Sequence, residues 1–393
     1  MYDVIVAGAG PGGASAAYYL GQAGLKVLVL EKEEIPRYKA CGGGVSIRTL
    51  EKYFPFSFAP VIECQAHSLS YHLGQRSVQI PLSKPSLVTV MRDRFDAHIL
   101  SHARAEILTR AAIRSIAQAP DQVVVETQAG QIFTGRYLIG ADGANSIVAR
   151  SVGLRRDKVT AAAVEAEVPV PVTIAGRYRY TPAFIFGEVR QGYAWIFPKA
   201  DHLSVGVVSL RPRPGEIRAA LDRIASRYQI PLDGVRLHGH SIPLHLRQEP
   251  VAAGRVLLVG DAAGLADPLS GEGIRMAIKS ASLASKAILQ GRPDLYPGWV
   301  ETRIGRDLRK ILPLARLFYQ LPLLCHLLGE RNPFISEAFM DLLSDETNYP
   351  QLFLCSFVTL PVFLLTEAGA ALYRLSGRSN KAEQLRNSIY WSR

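Results

Sequence analysis

The opening residues constrain this chain more than any other stretch. Tyr2-Asp3-Val4-Ile5-Val6-Ala7 reads as a short buried strand, Gly8-Ala9-Gly10-Pro11-Gly12-Gly13 as a turn, and Ala14 to Gln22 as a small-residue helix broken by Gly24. Lys26-Val27-Leu28-Val29-Leu30 follows as a second strand that ends on Glu31. Gly8 permits the tight turn, Gly10 lets backbone approach a pyrophosphate, and Gly13 lets helix and strand pack closely. The start of the helix supplies amide donors and a partial positive charge, so Gly8, Gly10, Gly12, Gly13 and Ala14 are candidate phosphate-facing residues. Glu31 falls 18 residues after Gly13, where its carboxylate can accept hydrogen bonds from ribose hydroxyls, with Lys32 beside it. An acid there favours an unphosphorylated adenosine ribose, hence FAD or NAD over NADP. The competing reading is a glycine-rich turn needed only for packing.

Composition narrows the class. With 393 residues, 48% of them hydrophobic and 20% charged, the chain can bury a sizeable core, which excludes wholesale disorder. The net charge of +11 suits an acidic partner: nucleic acid, an anionic membrane surface, or phosphate-bearing cofactors and substrates. Nucleic acid explains it least well, because the basic residues are scattered and no nucleic-acid motif accompanies them. Cys41, Cys64, Cys325 and Cys355 are too few and too scattered for a disulfide scaffold or a zinc cluster, so no metal site is expected. The first strand begins directly after Met1 with no signal-type stretch, so a cytoplasmic location is expected.

Beyond the opening unit, residues 60–90 look like short strands around Pro81 and Pro85, Arg92 to Ala105 like a helix, and Val123–Thr127 with Gln131–Ile139 like a β pair. Ala161 to Leu210 is rich in Val, Tyr, Phe and Ile between turn residues, which suggests an antiparallel sheet. A helix is expected over Glu216–Tyr228, a buried strand over Arg255–Gly260 and a helix over Gly273–Leu289. The remainder is helical in character, interrupted by Pro313, Pro322, Pro333, Pro350 and Pro361. The expected fold is α/β. A Rossmann-type FAD-binding domain (1–60, 86–160 and 250–298) is interleaved with an antiparallel substrate-binding sheet (61–85 and 161–249), and a helical C-terminal part covers 299–393.

Two later segments choose between the dinucleotides. Tyr137-Leu138-Ile139-Gly140-Ala141-Asp142-Gly143 is a strand running into an Asp-Gly turn. Arg255-Val256-Leu257-Leu258-Val259-Gly260-Asp261 is a strand ending on an acid, followed by Asp267-Pro268-Leu269-Ser270-Gly271-Glu272-Gly273-Ile274, a glycine-rich turn opening a helix. With the opening unit, these resemble the glutathione-reductase-like FAD proteins of the aromatic-hydroxylase branch. The resemblance implies that Asp142, Gly143 and Pro268 belong to the FAD site and that Asp261 holds the ribityl chain near the pyrophosphate. It also implies that amides around Gly271, Gly273 and Ile274 face the flavin pyrimidine edge, where negative charge develops on reduction. In Arg92-x-x-Phe95-Asp96-x-x-Ile99 the arginine matches a residue that contacts the FAD phosphates in that branch; otherwise it is a solvated helix charge. A second glycine-rich nucleotide turn is absent from the sequence, so NAD(P)H would bind transiently or be replaced by a ferredoxin-type donor.

Two further stretches, Pro36-Arg37-Tyr38-Lys39-Ala40-Cys41-Gly42-Gly43-Gly44 and Gly192-Tyr193-Ala194-Trp195-Ile196-Phe197-Pro198-Lys199, resemble the geranylgeranyl reductase family, flavoenzymes that saturate isoprenoid double bonds. The resemblance covers about residues 1–300. It implies an FAD-dependent prenyl reductase acting on a prenylated lipid, quinone or prenyl diphosphate, with Cys41, Gly42 and Gly43 beside the isoalloxazine. Strand alternation puts Tyr193, Trp195 and Phe197 on one face, where they can wall an apolar cavity or serve as plain sheet core. Cys41, Tyr193 and Trp195 are the candidate catalytic residues, although Cys41 also reads as a small buried hydrophobe. An aromatic monooxygenase, a halogenase of the same fold and a non-catalytic flavin or prenyl-lipid carrier stand as alternatives. A single Trp195 counts against the halogenase.

The last ninety or so residues match no motif. Ile311–Leu328 is an apolar run interrupted by two prolines, and Leu352–Leu365, broken by Pro361, is short of the ~18–20 residues of a spanning helix. The tail from Arg374 to Arg393 carries five basic residues and one acid, Glu383. Three readings are open: helices capping an isoprenoid tunnel, a patch peripheral to the inner face of a membrane, and a true span.

Overall fold

The computed structural model describes every residue except 83, 85, 156–158, 322, 324–331, 345 and 391–393, with the backbone alone at 314 and 316. Pro85, Pro322, Cys325, His326 and Arg393, and with them part of the Ile311–Leu328 run, lie outside the described residues.

Five parallel strands form the centre of the first sheet, in the order Val256–Leu258, Ile132–Gly140, Tyr2–Ala7, Val27–Leu30, Glu106–Leu108. Val4, Ile5, Val6 and Ala7 are fully buried, as a strand covered on both faces requires. Val123–Thr127 and Ile113–Gln118 extend this sheet as an antiparallel flap on Ile132–Gly140. The helix Pro11–Gln22 packs against the helix Ile274–Leu289. Glycine permits both the helix–strand and the helix–helix approach: a Cβ at Gly13 would stand 1.8 Å from the Gly8 carbonyl oxygen, and one at Gly12 3.1 Å from Val259 Cγ2 and 3.5 Å from Ala277 O of the second helix.

The second sheet has seven strands in the order His238–Pro243, Thr160–Pro169, His202–Ser209, Gly192–Pro198, Ala183–Phe186, Ser68–Leu73, Arg76–Pro81. Its outer face carries Ala166, Val168, Val205 and Val207 against Ile217, Ala220, Leu221 and Ile224 of the helix Glu216–Tyr228. Its inner face carries Ala163, Trp195 and Phe197. Ile62–Gln65, grouped by the sequence with this sheet, pairs instead with Leu87–Val90, which also pairs Gly44–Ser46. The chain changes sheet at once after that strand: Ala66 N–H donates to Leu87 O and His67 N–H to Tyr180 O.

The C-terminal part is helical, and its prolines behave differently from the sequence reading. Pro313, Pro333 and Pro350 sit in first turns, where a missing N–H costs nothing. Pro361 lies inside the helix Tyr349–Leu375 and does not break it. A capping box starts that helix: Asn348 Oδ1 accepts from Gln351 N at 3.0 Å and Gln351 Oε1 from Asn348 N at 3.1 Å. Leu352–Leu365 is therefore part of a 27-residue helix, long and apolar enough by length and composition to cross a membrane, which corrects the reading that this run is too short.

The close contacts at Gly13 give a direct test. Gly13→Ala must displace backbone and should cost at least ~1–3 kcal/mol, as overpacking does, lowering the melting temperature and FAD retention together. Gly176→Ala, in the helix Val172–Tyr178 with open space around its Cβ, should be neutral or stabilise by up to ~1 kcal/mol. Thermal melts of the two variants check both.

Candidate functional site

Between the two sheets and the C-terminal helices lies one cavity of about 1370 Å³, larger than the usual ~300–1,000 Å³ ligand pocket. At one end it is lined by Gly8, Gly10, Gly12, Glu31 and Lys32. The helix Pro11–Gln22 begins there with Gly10 as its cap and no acidic residue in its first turn, so its dipole is open to an anion. Two guanidinium groups stand over this turn: a Cβ at Gly10 would lie 3.7 Å from Arg37 Nη2 and 3.8 Å from Arg92 Nη2. Buried Asp96 holds both, accepting from Arg92 Nε and Nη2 at 2.9 Å and from Arg37 Nη1 at 3.1 Å. Burial works against the Arg92 charge, but Asp96 more than offsets it and keeps the guanidinium protonated.

Glu31, expected to face a ribose, is also engaged by the protein itself. Its Oε2 accepts from Ala9 N at 2.8 Å and its Oε1 from Glu33 N at 3.1 Å, and Arg37 Nε stands 3.5 Å away. With Arg37 and Arg92 balanced by Glu31 and Asp96, the cluster supplies oriented donors rather than excess charge. Lys39 adds a further cation: its Nζ lies 2.9 and 3.0 Å from the ring nitrogens of His240. Burial and then the Arg92 charge push its pKa down to about 8.

At the far end the cavity is lined by Asp142, Gly143, Asp261, Gly271, Gly273 and Ile274. Asp142 caps the helix Ile147–Ser151, accepting from Ile147 N at 2.6 Å and Val148 N at 3.1 Å, and burial raises its pKa. The Gly271 amide, expected to face a flavin, donates to Asp267 O at 2.9 Å because the turn closes tightly on itself. The first-turn amides of the helix Ile274–Leu289, which have no intrahelical acceptor, remain to face a ligand. Gly13, Ala14 and Pro268 do not line the cavity. Gly13 is held against Gly8, the Ala14 amide donates to Gly10 O at 2.8 Å, and Pro268 is buried.

Three tyrosines pin this turn from three parts of the chain. Tyr193 Oη donates to Ser270 O at 2.5 Å, Tyr319 Oη to Leu269 O, and Tyr349 Oη to the fully buried Asp267. Asp267 in turn accepts from Leu269 N at 2.7 Å and Ser270 N at 3.0 Å. The Tyr193 proton is thus committed to a carbonyl, and burial raises its pKa, so this hydroxyl is a poor acid for the cavity.

Between the two ends, cross-strand register arranges the aromatic wall. Trp195 stands opposite Gly206, which stands opposite Glu165, and Phe197 opposite Ser204, which stands opposite Glu167. Trp195 is sandwiched between glycines: a Cβ would fall 2.1 Å from its Cζ2 at Gly206 and 2.8 Å from its Nε1 at Gly42. Phe197 fills the corresponding space at Gly44, 3.1 Å away. Cys41 lines the cavity partly exposed, its Sγ accepting from Gly43 N at 3.4 Å. Lys199 ties the wall to this loop, with Nζ donating to Gly42 O at 2.9 Å and Val90 O at 2.8 Å; burial lowers its pKa.

A glycine cradle, paired guanidinium donors and a helix start at one end, with a second helix start at the other, fit an elongated dinucleotide. The FAD binding domain family matches residues 1–291. The chain belongs to that family, and it binds FAD. It is 28% identical over 380 residues to a chloroplastic geranylgeranyl diphosphate reductase of Oryza sativa subsp. japonica, covering 87% of this chain and 78% of that protein. It is 29% identical over 346 residues to a menaquinone reductase of Mycolicibacterium smegmatis, covering 80% and 83%. A geranylgeranyl bacteriochlorophyll reductase-like protein from Thermoplasma acidophilum shares the fold, with a TM-score of 0.71 at 24% identity over 91% of this chain and 96% of that one. This flavoprotein is thus an FAD-dependent oxidoreductase of the geranylgeranyl reductase family.

Sequence reasoning passed over Arg37, Lys39, Glu165, Tyr319 and Tyr349. Only Glu165 had a local signal, an acid on the cavity-facing positions of a strand. Arg37 has the clearest consequence. Each charge-assisted hydrogen bond is worth roughly 1.5–3 kcal/mol, so Arg37→Met and Arg92→Met should each weaken FAD about 10- to 100-fold. Titration of apoprotein with FAD, followed by flavin fluorescence, checks this; unchanged affinity in both would place the pyrophosphate elsewhere.

Proposed function

We propose that this flavoprotein saturates carbon–carbon double bonds of a polyprenyl chain. The observation that carries the reading is the apolar reach of the cavity. Past Trp195 and Phe197 it is lined by Leu69, Phe318, Phe339 and Met340, and then by Leu352, Phe353 and Leu360 of the helix Tyr349–Leu375. An extended apolar space beyond a flavin site suits a long hydrocarbon. Geranylgeranyl diphosphate and menaquinone differ in head group and have a polyprenyl chain in common, which supports a tail-reading site.

Reduced FAD supplies the hydride, recharged by NAD(P)H or a ferredoxin-type donor. An isolated alkene is a weak hydride acceptor because no carbonyl stabilises the charge left behind. The protein must therefore hold the bond still, exclude water and deliver a proton to the second carbon. Trp195 and Phe197, clamped by glycines, form a rigid wall against which one double bond can be held. The Cys41–Gly44 loop, fixed by Lys199, packs against both rings and holds them in place.

Anaerobically reduced enzyme should convert geranylgeranyl diphosphate, or a geranylgeranylated quinone or glycerolipid, to a product heavier by two hydrogens, with flavin oxidised in step. Trp195→Ala should slow this at least about tenfold, as lost positioning does, while FAD stays bound. No mass gain with any of the three would leave the carrier, and a product formed only with oxygen or halide the monooxygenase or halogenase.

The same helix motivates peripheral attachment to the inner face of a membrane. Its outer side exposes Phe357 and Leu365 at 73% and 76%, and its end and the tail that follows carry Arg374, Arg378, Lys381 and Arg386. Basic residues near an anionic surface contribute about 1 kcal/mol each, and salt screens them. Flotation with anionic liposomes should therefore retain the protein at low salt, and Phe357→Asp with Leu365→Asp should release it. Absence of binding at low salt would make these helices a substrate tunnel only.

A further inference from the structure

We propose that Glu165 donates the proton that completes alkene reduction and is refilled from solvent through Ser204, Glu167 and His202. The inference rests on the prenyl reductase reading and adds to it the identity of the acid.

Ala163 and Glu165, on one face of the strand Thr160–Pro169, line the cavity. Glu165 is 2% exposed. It shares a cross-strand row with Gly206 and Trp195, and the Ser204 hydroxyl links the two side chains, accepting from Trp195 Nε1 at 3.4 Å and donating to Glu165 Oε2 at 3.5 Å. Donors surround it: Tyr38 Oη lies 2.5 Å from Oε1, Ser204 Oγ 3.5 Å from Oε2, and the Cys41 amide hydrogen-bonds the carboxylate. These hold the group beside the Cys41 loop. Burial, followed by the neighbouring Glu167 charge, outweighs them and the more distant Lys199 and raises its pKa, so it keeps a proton where an exposed glutamate would not. His238 faces it from the adjoining strand.

Two other proton-bearing groups of the chamber are committed. Tyr193 donates to Ser270 O, and Lys199 to Gly42 O and Val90 O. Glu165 also has a way out. Glu167 stands opposite Ser204 and accepts from His202 Nε2 at 3.0 Å, while His202 Nδ1 lies 2.6 Å from Asp201, whose side chain is 87% exposed. Burial disfavours charge on His202, but its two carboxylate partners raise its pKa, which suits a group that takes protons from water.

The step balances. A hydride from reduced flavin forms one C–H bond and carries both electrons. The Glu165 O–H bond breaks, its proton forms the second C–H bond, and a carboxylate remains. Solvent returns one proton along Asp201, His202, Glu167 and Ser204, leaving oxidised flavin and a saturated bond.

The test uses the FAD-loaded, dithionite-reduced protein mixed anaerobically with geranylgeranyl diphosphate. Glu165→Gln keeps the acceptor for Tyr38, turns an amide donor toward the Ser204 hydroxyl, and has no acidic proton to give. It should slow prenyl-dependent flavin oxidation about 100-fold or more, leave FAD content and oxidation by oxygen unchanged, and abolish the fall in rate that wild type shows as pH rises through the Glu165 pKa. An infrared carboxylic-acid stretch that outlasts those of exposed carboxyl groups as pH rises should be missing from the same variant, and His202→Ala should slow repeated turnover more than the first. A wild-type rate or an unchanged pH profile in Glu165→Gln overturns the proposal alone. Wild-type enzyme that no prenyl substrate oxidises overturns it together with the reductase reading.

Discussion

The structure depends on an interlock between two glycines and two aromatic rings, locked by one buried ammonium. Trp195 and Phe197 occupy the space that side chains at Gly42 and Gly44 would need, and Lys199, two residues beyond Phe197, donates to the Gly42 carbonyl. A buried lysine is costly unless its donors find acceptors, and here two of them do, one on the loop and one on the strand Leu87–Val90. The loop that approaches the flavin and the wall that meets the substrate are therefore one rigid unit built from segments about 150 residues apart. Neither can shift without leaving a void or an unpaired ammonium.

Polar groups elsewhere in the cavity follow the same economy. Arg37 and Arg92 face the phosphate end because Asp96 holds both, and Asp96 is buried in the helix that begins at Arg92. Asp267 plays the matching part at the other end, organising the Leu269 and Ser270 amides while Tyr349 closes its remaining side. Tyr319 and Tyr349 come from the C-terminal helices and Tyr193 from the antiparallel sheet. The turn before the helix Ile274–Leu289 is thereby held by groups from the antiparallel sheet and the C-terminal helices, which ties the FAD site to both.

Much of the nucleotide half was legible because its chemistry is local. A strand, a Gly8–Gly13 turn and a helix lie within 22 residues, and each glycine has a steric reason visible from spacing alone. The same holds for Tyr193, Trp195 and Phe197, which alternation places on one face. What sequence did not yield is long-range. Tyr38 meets Glu165, and Tyr349 meets Asp267, through pairings that only the assembled sheets create. Ile62–Gln65 was misassigned because a two-residue crossover between sheets has no composition of its own. Pro361 misled for another reason: proline removes one ladder bond, but the neighbouring turns and a strong capping box sustain the helix around it.

The C-terminal helix shows why one element can face both substrate and surroundings. Leu352, Phe353 and Leu360 line the cavity, while Phe357 and Leu365 project outward. A polyprenyl chain loses roughly 0.8 kcal/mol for each CH₂ it moves from an apolar medium into water, so transfer across an aqueous gap would be prohibitive for a long tail. A helix apolar on both sides removes the gap, because the hydrocarbon can pass along it without wetting. The apolar outer face, which in a purely soluble enzyme would be an aggregation liability, is then a requirement of the substrate's own solubility. On the proposed function, the tail's basic residues would set where the helix rests, and the cavity's depth past Trp195 would set which double bond reaches the flavin.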